Sequence, residues 1–168
     1  MNLKTITIVL GSILSFTMIS CNSNKINNHE QTENSISSSK LISSLKATQN
    51  NYNIKDTITL EFTVTNPTSK VIKFTQYHTP FEGMISDFLT IKDTKGNDIK
   101  YIGPMVKRIT PPPSNSYHTL EPGTSESIKF SINKSYKIEN AGTYIINYIQ
   151  TPINGIKTSK SIKIKVNN

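Results

Sequence analysis

The chain has 168 residues, one cysteine, no tryptophan, and nineteen basic against eleven acidic residues, a formal charge of +8. A single cysteine leaves no intrachain disulfide, so the fold has to rest on an apolar core. The positive balance raises nucleic acid or anionic lipid as partners. The lysines are scattered singly, however, and no basic stretch is interleaved with stacking aromatics, so no nucleic-acid partner is expected.

The first segment reads as an address. A short basic start (Met1 to Lys4) leads into the uncharged run "ITIVLGSILSFTMIS", which ends at Cys21. This is the layout of a secretory leader, too short and wrongly flanked for a stable membrane span. The residues before the cysteine, "MIS", resemble a bacterial lipobox. That resemblance implies removal of residues 1–20 and lipidation of Cys21, so that the mature chain sits in the cell envelope on a bacterial membrane. The alternative is an ordinary leader with a stray cysteine near its end, a free thiol that is awkward in an exported protein. Loss of the leader takes only Lys4 from the basic residues.

Residues 21–40 are almost wholly polar and read as a flexible tether. Within them "HEQTE" (29–33) begins like the zinc-binding pattern H-E-x-x-H, but ends in Glu33 and has no apolar helical face to hold it. From Leu41 the apolar period becomes two. "TITLEFTVT" (57–65) sends Ile58, Leu60, Phe62 and Val64 to one face and Thr59, Glu61, Thr63 and Thr65 to the other, as expected of a strand with one buried face. Further strands are expected at 41–48, 71–77, 88–93, 98–102, 126–132, 143–150 and 160–166. "TKGN" (94–97) reads as a hairpin turn and "LEPGTS" (120–125) as a Pro-Gly turn. In "KSIKIKV" (160–166) lysines alternate with apolar residues as on a solvated strand face, and on an edge strand they would discourage pairing. "SINKSYKIEN" (131–140) has room for one helical turn at most. The expected domain, residues 41–168, is therefore all-β, an immunoglobulin-like antiparallel β-sandwich of about seven to eight strands. "NAGTY" (140–144) has the form of the corner before a late strand of such domains, where a tyrosine hydroxyl bonds back to upstream backbone.

Two segments escape strand patterning: "HTPFEGMIS" (78–86) and "GPMVKRITPPPSNSYH" (103–118). Loops on a rigid scaffold are where binding residues concentrate. The candidates in the first are His78, Thr79, Pro80, Phe81, Glu82 and Gly83, with Asp87 just beyond. In and beside the second they are Tyr101, Gly103, Lys107, Arg108, Pro111, Pro112, Pro113, Tyr117 and His118. Pro111 to Pro113 stiffen an extended segment, and Lys107–Arg108 is the one adjacent basic pair. Two readings stand side by side: Glu82 or Asp87 pairs with Arg108 and closes one end of the sandwich, or the loops form a recognition edge.

Read in order, "TPFEG" (79–83), "DF" (87–88), "YIG" (101–103), "KR" (107–108), Tyr117, "LEPG" (120–123) and "AGTY" (141–144) resemble the non-catalytic N-terminal domain of peptidyl-Lys metalloendopeptidases, which are deuterolysin-type zinc peptidases. The resemblance runs from residue 45 to about residue 150 and implies a β-sandwich that accompanies or restrains a protease. The catalytic half of that family requires H-E-x-x-H and a further ligand, and the 168 residues hold no such motif. His29 lies in the tether. His78 and His118 sit in matching "YHT" triplets with no third ligand indicated, and no serine or threonine is marked as an activated nucleophile. No catalysis, metal or cofactor is expected. Small immunoglobulin-like inhibitors of bacterial proteases are also broadly similar, by analogy alone. The leading expectation is a lipid-anchored binding module that meets a secreted metallopeptidase or another envelope protein through the two loops. The second is a scaffolding lipoprotein whose loops are architectural.

Overall fold

Alternation builds the strands. In Thr59–Thr65, Leu60, Phe62 and Val64 are buried while the intervening residues are half-buried, and the same period recurs in Gly142–Tyr148 with Tyr144, Ile146 and Tyr148. The computed structural model describes residues 41–158 and 160–168. The expected leader, lipidated Cys21 and the tether of residues 21–40 lie outside the described residues.

In chain order the strands are β1 (Leu41–Ala47), β2 (Asn51–Asn53), β3 (Thr59–Thr65), β4 (Ile72–Thr75), β5 (Leu89–Asp93), β6 (Tyr117–Leu120), β7 (Ser125–Ser131), β8 (Gly142–Tyr148), β9 (Ile156–Lys157) and β10 (Ile162–Asn167). Short 3-10 turns at Pro80–Glu82 and Ser114–Ser116 are the helical elements among the described residues. One sheet has the order β7-β3-β1-β9, the other β2-β10-β8-β5, and β4 pairs with β6 as a small third sheet. Strands β1, β3 and β7 thus take positions A, B and E of an immunoglobulin-type sandwich, and β5, β8 and β10 take positions C, F and G. Leu60, Phe62 and Val64 from one sheet and Ile91, Ile146 and Ile164 from the other are buried in a common core.

The all-β sandwich is as expected, with differences in detail. The sheets are mixed, because β1 runs parallel to β9 and β2 parallel to β10. The first strand forms as expected, as β1, but a further short strand, β2, follows it in the other sheet, beside the last strand and in the same direction. Residues 98–102 make no strand: Ile99 N bonds Ile91 O, but Ile102 N bonds Ser135 O, so the segment changes partners before a ladder forms. Strands β2, β6 and β9 were hidden by their length, since two to four residues carry too little period to read. Finally, β10 is an interior strand, although Lys163 and Lys165 do face solvent.

The corner forms as its residues suggest. Tyr144 Oη donates to Asn140 O at 2.6 Å, and Ile146, where antibody domains keep a cysteine, is fully buried. Gly96 takes φ +88° in the hairpin turn after β5, a conformation open to glycine at little cost. In "SINKSYKIEN" Ile132 O accepts from both Ser135 N and Tyr136 N, a single helical turn.

Candidate functional site

The first loop is shaped by its own side chains. Thr79 Oγ1 donates to Gln76 O at 2.7 Å and accepts from Phe81 N at 3.2 Å, capping the turn that Pro80 begins. Gly83 closes it at φ +81°, its N–H on Pro80 O. Phe81 goes inward against Phe62, Phe74 and the His118 ring, with centroids 6.1, 5.7 and 4.9 Å away. His78 holds φ +57°, uncommon for a residue with a side chain. Contacts at both ends of its peptide unit keep it there: its N–H donates to Glu82 Oε1 at 2.9 Å, and its carbonyl accepts from Tyr148 Oη at 3.2 Å.

Glu82 is the hub. Its Oε1 accepts from His78 N, from Ser86 Oγ at 2.8 Å and from Arg108 Nη2. The Glu82 and Arg108 side chains are only 5% and 12% exposed, so this is a buried ion pair joining the two loops. The Arg108 guanidinium lies over the Tyr77 ring, 4.9 Å from its centroid. Arg108 Nε is buried without a hydrogen-bond partner among the described residues. Two more ties run between the loops. Tyr101 Oη lies 3.1 Å from Met84 O and 2.8 Å from Pro104 O, and Val106 N donates to Ile85 O at 3.2 Å.

Gly103 permits the Tyr101 contacts, because a Cβ there would stand 2.6 Å from Tyr101 Oη and 3.0 Å from Ser135 Oγ. Asp87, the other expected partner of Arg108, instead accepts from Tyr136 Oη at 2.7 Å, and that oxygen accepts in turn from Leu89 N at 3.0 Å. Burial pushes the Tyr136 phenol far up, with the Asp87 carboxylate adding to the shift. Burial likewise raises Tyr148, and it raises Tyr101 with help from the charges of Asp87 and Glu82.

The sixteen loop candidates thus divide. Thr79 and Pro80 are buried and Glu82 and Arg108 are turned inward, while Phe81, Tyr101, Gly103 and His118 pack at the loop base. Gly83, Asp87, Lys107, Pro111, Pro113 and Tyr117 face solvent, and His78 and Pro112 are half-buried. The proline run has a cis Thr110–Pro111 peptide, and Pro113 has φ −67° and ψ 155°, in the polyproline range. Sequence reasoning missed the exposed apolar side chains of the second loop, Ile102, Met105, Val106 and Ile109, at 53, 74, 44 and 70%. The signal for the last three was apolar residues without a period of two between Gly103 and the prolines, on either side of Lys107 and Arg108. It also missed Asn154, which is buried, donates to Tyr77 O and Tyr148 Oη, and accepts from Ile156 N.

His118 is engaged at the loop base. Its Nδ1 faces both oxygens of Glu126, at 2.9 and 3.0 Å, and its ring stacks on Phe74 at 5.1 Å. Among the described residues no group of three or more His, Cys, Asp or Glu could hold a metal ion. A shallow depression of about 480 Å³ beside the loops is lined by Asp87, Ile99, Lys100, Tyr101 and Met105 among others.

No protein-family model and no curated protein matches the chain. Solved structures similar to it include the alkylpurine DNA glycosylase AlkC of Pseudomonas fluorescens, at 12% identity and a TM-score of 0.43, covering 77% of this chain and 31% of that one. A β-glucosidase of Erythrobacter marinus matches at 12% and 0.41, covering 75% and 15%. A β-glucosidase of Listeria innocua in complex with glucose matches at 12% and 0.37, covering 75% and 16%. The chain spans a third or less of each, and no property of those enzymes is transferred to it.

Proposed function

We propose that the chain is a lipid-anchored envelope binding module, comparable to a protease-associated domain, that meets a secreted peptidase through its paired loops. One observation carries the reading: residues 78–86 and 103–118 are locked to each other by the Glu82–Arg108 pair while their outer side chains stay exposed. A long loop pinned this way has already lost most of the freedom that binding would remove, so it presents a preorganised surface. Arg108 positions that surface and does not touch a partner. Pro111, Pro113 and Tyr117 are the contact residues. The protease partner rests on the resemblance of the ordered loop motifs to the peptidase-associated domain. A scaffolding role in the envelope is the second reading, favoured by the extent to which Glu82, Tyr101 and Arg108 are spent on internal bonds.

The test uses the mature chain as bait for envelope and secreted proteins, beside Arg108→Met, which removes the ionic tie between the loops, and Tyr117→Asp, which alters only an exposed side chain. The module reading expects a peptidase retained by the native chain, weakened by both variants, and slowed by added chain. Identical components on all three baits, with no peptidase slowed, would hand the function to the scaffolding reading.

A further inference from the structure

The segment from Ile102 to Ile109 is unusual in which of its side chains it hides. Its backbone is fixed where Ile102 N donates to Ser135 O and Val106 N to Ile85 O, yet Ile102, Met105, Val106 and Ile109 are left outside, and Arg108 alone is drawn in, onto Glu82. Large apolar side chains grouped on a fixed loop mark an interaction site more often than isolated ones do. Charges of both signs lie around them, since Asp87 and Asp98 line the same depression as Lys100 and Met105. Lys100 and Lys107 are exposed and make no ion pair among the described residues. Two of the nearby carboxylates are ion-paired, Glu82 with Arg108 and Asp98 with Lys92, while Asp87 accepts from the uncharged Tyr136 Oη.

The place where the chain joins the domain adds an independent observation. Leu41 pairs with Ile156, Ile156 N bonds Asn154 Oδ1, Asn154 Nδ2 bonds Tyr77 O, and the Arg108 guanidinium covers the Tyr77 ring. The start of β1 is therefore joined to Arg108 by a relay through Ile156, Asn154 and Tyr77. Forty residues precede Leu41, and the expected acylated Cys21 lies twenty positions before it.

We propose that Ile102, Met105, Val106 and Ile109, flanked by Lys100 and Lys107, lie in the interface of an anionic lipid bilayer. Apolar side chains beside lysines suit the boundary between acyl chains and acidic headgroups. The inference rests on the membrane-anchored reading, since an anchor at Cys21 holds the strip within a tether's length of the bilayer. It also orients the domain, leaving residues 78–83 and 111–117 to the partner.

The native chain has no tryptophan, so Met105→Trp in the full chain gives a single reporter. Thr94→Trp, at an exposed turn beyond β5, gives the control. Each is reconstituted in phosphatidylglycerol-containing vesicles and in phosphatidylcholine vesicles, with and without brominated acyl chains. The mass of the Cys21 peptide reports the anchor separately.

A blue shift and bromine quenching at position 105 but not at 94, reduced roughly fivefold by Lys107→Glu, is the expected result. The same response without acylation upholds the strip and removes the anchor. Emission at 105 that stays water-like on every vesicle overturns the proposal, with or without acylation. A shift seen only with lipid-free envelope protein overturns it too and makes the strip a protein contact.

Discussion

At the scale of single residues, the Glu82–Arg108 pair is the ionic tie that joins the two loops, beside the Tyr101–Met84 and Val106–Ile85 hydrogen bonds. Pairs this buried gain little net stability, because desolvation offsets attraction, and Arg108 Nε adds an unmet donor. Removing one partner is a different matter. Arg108→Met is expected to destabilise the chain by about 3 kcal/mol in urea unfolding, because it leaves a charged Glu82 inside. Adding Glu82→Gln should recover at least half of that, since the amide oxygen still accepts from His78 N and Ser86 Oγ while no charge stays buried. Strictly additive losses would show that the pair is not buried as described. Gly103→Ala acts by contact alone. Its Cβ would displace the Tyr101 phenol from Met84 O, and a loss of about 1–3 kcal/mol is expected in the same measurement.

At the scale of elements, Asn154 is the joint between the first loop, β8 and β9. Asn154→Ala leaves Tyr77 O, Tyr148 Oη and Ile156 N without that partner, at about 1–3 kcal/mol for each group that stays buried. Hydrogen exchange should quicken in β9 and at the start of β1 before it does so in β3, and uniform quickening would contradict the joint. The legibility of the sequence also belongs at this scale. Strands β3, β5, β7, β8 and β10 were readable because five or more residues alternate against a single core. Residues 98–102 alternate too, yet pair first with β5 and then with residues 135–137, and the sequence holds no sign of that change. The Glu82–Arg108 tie was legible as opposite charges on two odd loops. The inward turn of Arg108 beside an outward Lys107 was not, since local sequence does not say which neighbour the core will take.

For the whole molecule, the tyrosines set the alkaline limit. Tyr136 and Tyr148 are held above the usual phenol value of 10.0, chiefly by burial. A phenol whose pKa rises on folding binds its proton more tightly in the native state, so its contribution is complete below about pH 10 and falls as pH rises above it. Unfolding above about pH 10 should therefore be cooperative, with part of the tyrosinate absorbance appearing only as strand circular dichroism is lost. Complete tyrosine ionisation in a chain that keeps its strands would contradict this placement of Tyr136 and Tyr148. Among the described residues no helix is long and apolar enough to cross a membrane.

The claim on which the functional reading depends is that two loops behave as one surface. Native-state hydrogen exchange of the Val106 and His78 amides, one in each loop, tests it most directly in the full chain and in Arg108→Met. The account predicts that both amides are protected in the native chain and lose protection together in the variant, while β3 and β8 keep theirs. Fast exchange at Val106 in the native chain, or protection that survives Arg108→Met at both amides, would contradict it.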